Sequence, residues 1–354
     1  MAVPGTDHEQ PAAEAQRLGE RLREMTRTRT FLIATLIVIL ALMYLFGALS
    51  GAGSRLMSLT AWGLMLGGVI ALGSIGLTLV YGVMKFPNFS HGALVTLGAY
   101  VTYTVLPLLP DGPTLSPLSF GYEFLVAMVV AMPVVGAVAI ALDRAVYRRL
   151  RRTGSHLVLF AMASLAMAFF LRSLIYLIWG PDFHFYYPGQ PNPAFRLPLN
   201  IRVQGDQVFI LVMAFVFVAG VSALLEWTKM GKAMRATADN PDLAGVRGIN
   251  TERVIAWTWG LGGALAACGG VMYGLSSQLR PEMGFWLLLP MFAATIMGGI
   301  GNPYGALIAA LIIGISHQVS TSFLDPTYGP AVAFVLMVIT LLIRPQGLLG
   351  RDGG

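Results

Sequence analysis

The chain has 354 residues, of which 56 % are hydrophobic and only 11 % charged, with a formal net charge of +6. A soluble domain carries about a quarter charged residues, so this chain has too few to cover a water-facing surface of its length. With a mean hydropathy of +0.71, that composition excludes a soluble enzyme or a disordered chain, and the high pI of about 9.6 does not imply nucleic acid. The apolar residues come in blocks of about 20, the helix length for a bilayer core, not in the alternating segments of a barrel. The single cysteine, Cys268, leaves no intrachain disulfide and no cysteine metal cluster.

In chain order, hydropathy predicts an all-α polytopic membrane protein with about ten transmembrane helices. They lie at roughly 31–50, 60–83, 91–108, 121–142, 155–179, 207–227, 253–276, 284–300, 304–320 and 327–343. Residues 1–30 form a polar, basic tail. The span 31–50 is expected to be a retained anchor, because its apolar run is longer than a usual signal core. Ten spans put both termini on one side, where 18 basic residues then fall against five on the other. Lys and Arg are retained in the cytoplasm, so both termini are read as cytoplasmic.

The spans almost lack charge. Glu123 and Asp143 sit at the ends of the fourth, Glu226 ends the sixth, and Arg172 alone lies well inside one. An ion- or proton-coupled transporter needs an intramembrane relay of acids or histidines. No paired intramembrane acids occur, so the energy source is expected elsewhere and ion coupling stands as the alternative. Around Gly231-Lys232-Ala233 the first glycine and the Ser or Thr of a P-loop are missing. No metal site is expected, and Ser90-His91 lacks the oriented carboxylate of a triad. The second and seventh spans are rich in glycine, which either packs a bundle tightly or permits breaks that open a path.

Three segments stand out. The first, Tyr81-Gly82-Val83-Met84-Lys85-Phe86-Pro87-Asn88-Phe89-Ser90-His91-Gly92-Ala93-Leu94, continues to Leu97-Gly98-Ala99-Tyr100. Pro87 interrupts the second span, and Asn88 or Ser90 can cap the next helix. It is either an ordinary capped turn or a polar constriction at the inner end of a pathway. The second segment is the loop 228–252. Residues 232–238 favour helix, Asn240 and Pro241 start a second short helix, Gly248 ends it, and Thr251 can cap the seventh span. Its apolar points suit either lipid headgroups or a protein partner. The third segment, Ala294-Thr295-Ile296-Met297-Gly298-Gly299-Ile300-Gly301-Asn302-Pro303-Tyr304-Gly305-Ala306-Leu307, is a glycine turn that makes a helical hairpin. It echoes the first, which raises a possible internal repeat.

These segments, in this order, resemble the permease subunits of bacterial branched-chain amino acid ABC importers, of the type whose first motif reads Asn-Phe-x-His-Gly. The ending Ile343-Arg344-Pro345-Gln346-Gly347-Leu348-Leu349-Gly350-Arg351 resembles that family too, and the likeness spans 60–351. Residues 1–59 go beyond its shorter members. The resemblance implies a multi-pass protein of the bacterial inner membrane that is not itself an enzyme. No cofactor is expected in this chain, ATP and Mg²⁺ being held by two cytoplasmic ATPase subunits. A periplasmic binding protein would deliver substrate, and a second homologous permease, or a copy of this chain, would complete the path. Urea or short amides are the alternative cargo. The expected path residues are Asn88, Ser90, His91 and Tyr100, with His317 and Gln318 as weaker candidates. The ATPase contact is expected at 232–250, on Arg235, Asp239, Asn240, Asp242 and Gly248. The aromatic outer loop 180–206, with Phe185, Tyr186 and Tyr187, is either an interfacial belt or a docking face for the binding protein.

Overall fold

The computed structural model describes residues 53–110, 112–188, 194–197 and 201–350. The tail 1–30, the predicted anchor 31–50 and Arg351 lie outside the described residues. The other nine predicted spans each fall on a helix: α1 (Gly53–Met84), α2 (Ser90–Val105), α3 (Tyr122–Leu142), α5 (Leu157–Trp179), α6 (Gly205–Trp227), α9 (Thr251–Ser276), α10 (Met283–Gly298), α11 (Pro303–Ser320) and α12 (Gly329–Ile343). Among the described residues, seven helices are long and apolar enough to cross a membrane. At 16 residues each, α2 and α10 are shorter. The protein is a multi-pass membrane protein.

Three boundaries differ from the sequence reading. Helix α1 begins at Gly53 because backbone hydrogen bonding runs on past the apolar block that hydropathy detects. The third predicted span ends at Val105, and Leu106–Leu108 tightens into a 3₁₀ turn carrying Pro107. The arginine-rich segment after α3 is helical, running through a π turn (Asp143–Tyr147) into α4 (Arg148–Arg152). An ion pair across that turn, Arg151 to the buried Asp143 at 2.6 Å, explains why it stays wound. The loop 180–206 carries an antiparallel pair, β1 (Ala194–Leu197) and β2 (Ile201–Gln204), that the helical pattern did not anticipate. The β-branched Ile201 and Val203 favour it.

Helix α1 is the axis of the bundle and packs on α6, α9, α10 and α11. Lipid gives no hydrophobic force between helices, so these contacts depend on small residues that let backbones touch. A Cβ on Gly63 would lie 2.6 Å from the Ile315 backbone, and one on Gly76 would lie 2.7 Å from the Gly262 carbonyl. The glycines of the second and seventh spans are therefore packing positions in this conformation. Helices α5, α6 and α12 lie outside, with Leu177, Val216 and Leu342 exposed.

The loop 228–252 folds as α7 (Lys229–Asp239) and α8 (Pro241–Val246). Thr228 caps α7, accepting from Gly231 N at 2.9 Å, and Asn240 caps α8, accepting from Leu243 N at 2.9 Å. Asn250, not Thr251, caps α9: its carboxamide accepts from Arg253 N at 3.0 Å, while Thr251 is already helical. The turn between α10 and α11 holds Gly299 and Gly301 at φ +101° and +85°, where a side chain would be strained.

Candidate functional site

The first motif builds a buried polar knot where α1 stops. Helix α1 ends at Met84, and Lys85 takes a left-handed φ of 58° that turns the chain. Phe86 is buried between Tyr147 and Phe160, with ring centroids 5.3 and 5.2 Å away. Asn88 lies just before Phe89, the N-cap of α2, and braces the first turn: its Oδ1 accepts from Ser90 N at 3.1 Å and Ser90 Oγ at 2.6 Å. Ser90 Oγ also lies 3.3 Å from the Tyr147 hydroxyl, and the Tyr147 ring stacks on Trp259 at 4.8 Å. Ser164 of α5 holds the turn from outside, accepting from Phe89 N at 3.1 Å.

His91 reaches into α1. Its Nε2 lies 2.8 Å from the Gly73 carbonyl, which can only accept, so Nε2 carries the proton. Next along α1, Ser74 Oγ donates to the Met291 carbonyl at 3.2 Å, and Thr295 donates back to the Ser74 carbonyl at 3.2 Å. One turn further, Thr78 Oγ1 accepts from Gly301 N at 2.7 Å. Positions 73, 74 and 78 thus tie α1 to α2, to α10 and to the glycine turn of the third motif. Sequence reasoning missed Ser74, Thr78, Thr295 and Tyr147. The available signal was two hydroxyls one helical turn apart in an otherwise apolar span.

Asn88, Ser90, His91 and Tyr100 are all fully buried, and they line none of the larger cavities. Asn88 Nδ2, His91 Nδ1 and the Tyr100 hydroxyl have no hydrogen-bond partner in this arrangement. Buried polar atoms are almost always paired, so these three are unusual. Asn88, Ser90 and His91 form one cluster. Tyr100 lies further along α2, its ring against Trp179 and His184. His317 and Gln318 are near the far end of α11, remote from that cluster, and the His317 ring abuts Gly329.

A cavity of about 530 Å³ opens where both motifs and the second segment meet. Its walls include Thr78, Lys85, Arg235, Asp239, Asn302 and Gln346. The third motif is roofed by the chain's last described residues. Leu348 N donates to the Met297 carbonyl at 2.7 Å, Leu349 N to the Gly298 carbonyl at 3.1 Å, and Asn302 Nδ2 to the Leu349 carbonyl at 2.7 Å. Asn302 also caps α11, accepting from Gly305 N at 3.1 Å, whereas Asn88 of the first motif stands one residue before the N-cap of α2. Lys85 and Arg235 line this cavity, and Arg151 lies beside Met84, so the basic loops gather at one end.

Helix α7 turns Gly231, Met234 and Thr237 onto the bundle and packs on α1, α6 and α9. Helix α8 projects: Leu243 is 56 % and Val246 85 % exposed, and only Ala244 is buried. Asp239, Asn240, Asp242 and Gly248 are exposed on this element, while Arg235 is half-buried behind it. At the opposite end, only Phe185 of the three candidate docking aromatics is exposed. The Tyr186 hydroxyl donates to the Ala99 carbonyl at 2.9 Å, and burial pushes its phenol well above its ordinary pKa. The Tyr187 hydroxyl donates to Glu123 at 3.0 Å. The three line a cavity of about 510 Å³ with Ser276 and Gln278. Glu123 Oε1 accepts from Gly121 N at 3.0 Å as well, and Asp206 accepts from Ser119 N at 3.0 Å. Among the described residues no cluster of His, Cys, Asp and Glu could hold a metal.

A bundle of apolar helices, tied by a polar seam and bearing the projecting helix α8 at its basic end, defines a polytopic membrane protein. The family model described as "Branched-chain amino acid transport system / permease component" matches residues 59–341, and the chain belongs to that family. The high-affinity branched-chain amino acid transport system permease protein LivH of Escherichia coli (strain K12) is 32 % identical over 302 residues, covering 82 % of this chain and 94 % of LivH. BraD of Pseudomonas aeruginosa, a permease protein of the same description, is 30 % identical over 294 residues with the same coverage. A probable LivH from Methanocaldococcus jannaschii is 31 % identical over 296 residues, covering 80 % of this chain and 89 % of its own. No solved structure matches. Members of this family are transporter components and not enzymes.

Proposed function

We propose that this chain is the membrane permease of an ATP-driven importer of branched-chain amino acids in the bacterial inner membrane. It forms the path with a second permease or a copy of itself. ATP and Mg²⁺ belong to two ATPase subunits, and a periplasmic binding protein supplies the substrate. The observation that carries this reading is the projecting helix α8, with Leu243 and Val246 uncovered, resting on α7, in a chain of this family. A short helix that offers apolar points outside a bundle suits a groove on a partner.

In this reading the ATPases press on α8 at Asp239, Asn240, Asp242 and Gly248. Helix α7 passes the displacement to α1, α6 and α9, on which it rests. The seam at Thr78–Gly301 and Gly73–His91 then rearranges, and the two states differ in which partners these groups hold. Asn88 Nδ2, His91 Nδ1 and the Tyr100 hydroxyl, unpartnered in this conformation, are the polar positions that meet substrate or water in another. His317 and Gln318, distant from that seam, are placed at the outer end of the path. Phe185 is the exposed point for the binding protein, with Tyr186 and Tyr187 holding its loop.

The test is to purify the chain with its co-expressed neighbours and to measure ATP hydrolysis stimulated by amino acid-loaded binding protein. Asn240→Arg and Gly248→Pro should each abolish stimulation while leaving assembly of the bundle intact. His91→Ala should assemble and lose uptake. Unchanged stimulation in both α8 variants would sink the coupling assignment. Stimulation by urea or short amides in place of leucine, isoleucine or valine would reassign the cargo, and uptake that tracks a proton gradient at constant ATP would favour the ion-coupled alternative.

A further inference from the structure

A second groove lies on the outside of the bundle, between α3 and α9, with a volume of about 790 Å³. It is lined by Met132, Ile140, Trp257 and Leu261, and it ends at Arg144 and Arg253. The two helices cross behind it on glycine: a Cβ on Gly136 would lie 2.8 Å from the Gly260 carbonyl. With glycine at that crossing, the two backbones approach closely and the outer face is left as a groove.

The charge at its mouth is unbalanced. Asp143 is held by Arg151 at 2.6 and 3.1 Å. Glu252 is held by Arg148 at 2.9 Å and by Arg151 at 3.6 Å. Two carboxylates are thus matched by two guanidiniums. Arg144 and Arg253, both exposed, pair with no carboxylate among the described residues. The groove's length also has a meaning. Met132 and Arg144 are 12 residue steps apart along the helix and Arg253 and Ala264 are 11. At ~1.5 Å per residue these are roughly 18 and 17 Å, a little over half of a ~30 Å hydrocarbon core.

We propose that this groove is a binding site for one anionic glycerophospholipid from the leaflet at the basic end. Its acyl chain lies along Met132, Ile140 and Leu261, and its phosphate sits between Arg144 and Arg253. The apolar walls supply no preference among lipids, so the selection for an anionic headgroup comes from the two unmatched arginines. Each basic residue near a charged membrane surface favours an anionic lipid roughly fivefold. The inference rests on the chain's being a membrane protein and not on the importer reading.

Trp257, 52 % exposed in the groove, is a built-in probe. The full chain is reconstituted in symmetric vesicles of zwitterionic lipid containing a small fraction of acyl-brominated phosphatidylglycerol or, separately, acyl-brominated phosphatidylcholine. The difference in tryptophan quenching between wild type and Trp257→Phe isolates this one indole from the other five. The expected result is a relative affinity for the anionic lipid at least roughly tenfold above the zwitterionic one at this indole. Arg144→Gln with Arg253→Gln should bring that ratio near one while leaving quenching by the zwitterionic lipid unchanged, which also reports an intact fold. If the double variant does not fold, displacement of the brominated anionic lipid by its unlabelled form in wild type gives the same ratio. Equal quenching by both lipids in wild type would make this ordinary lipid contact and overturn the proposal. So would a ratio that survives the double variant, and so would no quenching by either lipid, which would give the groove to a second protein chain. Symmetric vesicles make the result independent of orientation and of transport activity.

Discussion

Helices α1 and α5 are both long and apolar, yet 89 % of the most apolar stretch of α1 is buried against 22 % for α5. The difference is in small and hydroxylic residues. Helix α1 carries glycines at 63, 67, 68, 73, 76 and 82, and its Ser74 and Thr78 bond to neighbouring elements. Helix α5 has no glycine between Leu157 and Trp179. Apolarity places both helices in the membrane, but in lipid it says nothing about which helix has protein around it. Close backbone approach and interhelical hydrogen bonds decide that.

Overpacking gives the largest test of this contrast. Gly270→Leu drives a side chain into the Val95 carbonyl, where even a Cβ has no room, whereas Gly220 of α6 has nothing within 4 Å of a new Cβ. The buried change should cost about 3 kcal/mol or more and empty the folded peak on detergent size exclusion. Gly220→Leu should leave that peak unchanged; equal loss in both would break the comparison. Next in size is the Asp143–Arg151 pair. Asp143 is 2 % exposed, so Asp143→Ala leaves the poorly solvated Arg151 guanidinium with only the longer contact to Glu252 and should cost about 3 kcal/mol in thermal unfolding. Glu252 is 41 % exposed, and Glu252→Ala should cost no more than about 1 kcal/mol. Smaller again is Ser74→Ala. It removes one seam bond, from Ser74 Oγ to the Met291 carbonyl, worth about 0.6 kcal/mol in thermal unfolding. The smallest effect belongs to α5, where Leu177, 81 % exposed, should tolerate Leu177→Ala within about 0.5 kcal/mol.

Much of the site's framework was legible as local chemistry. Pro87 with Asn88, Asn240 with Pro241, and Asn302 with Pro303 each mark a helix start, because a proline lacks an N–H and an asparagine can supply an acceptor. Gly248 was legible as a stop and adopts φ +83°. The cap at Asn250 was misplaced by one residue, since Asn and Thr suit that role equally well. The hairpin of β1 and β2 was not anticipated, because two short strands leave little periodic signal beside a chain of long helices.

Sequence by itself determined that the chain lives in lipid, where nine of its helices lie, and where its turns are capped, because burial in a bilayer and capping are settled residue by residue. Only the tertiary structure decided that α1 is the central helix and that His91 donates to Gly73. It alone showed that residues 348 and 349 roof the glycine turn and that Arg144 and Arg253 are left unmatched while Arg148 and Arg151 pair. Those facts join residues far apart in the chain, and in a medium as apolar as the helices themselves no hydropathy pattern records which of them meet.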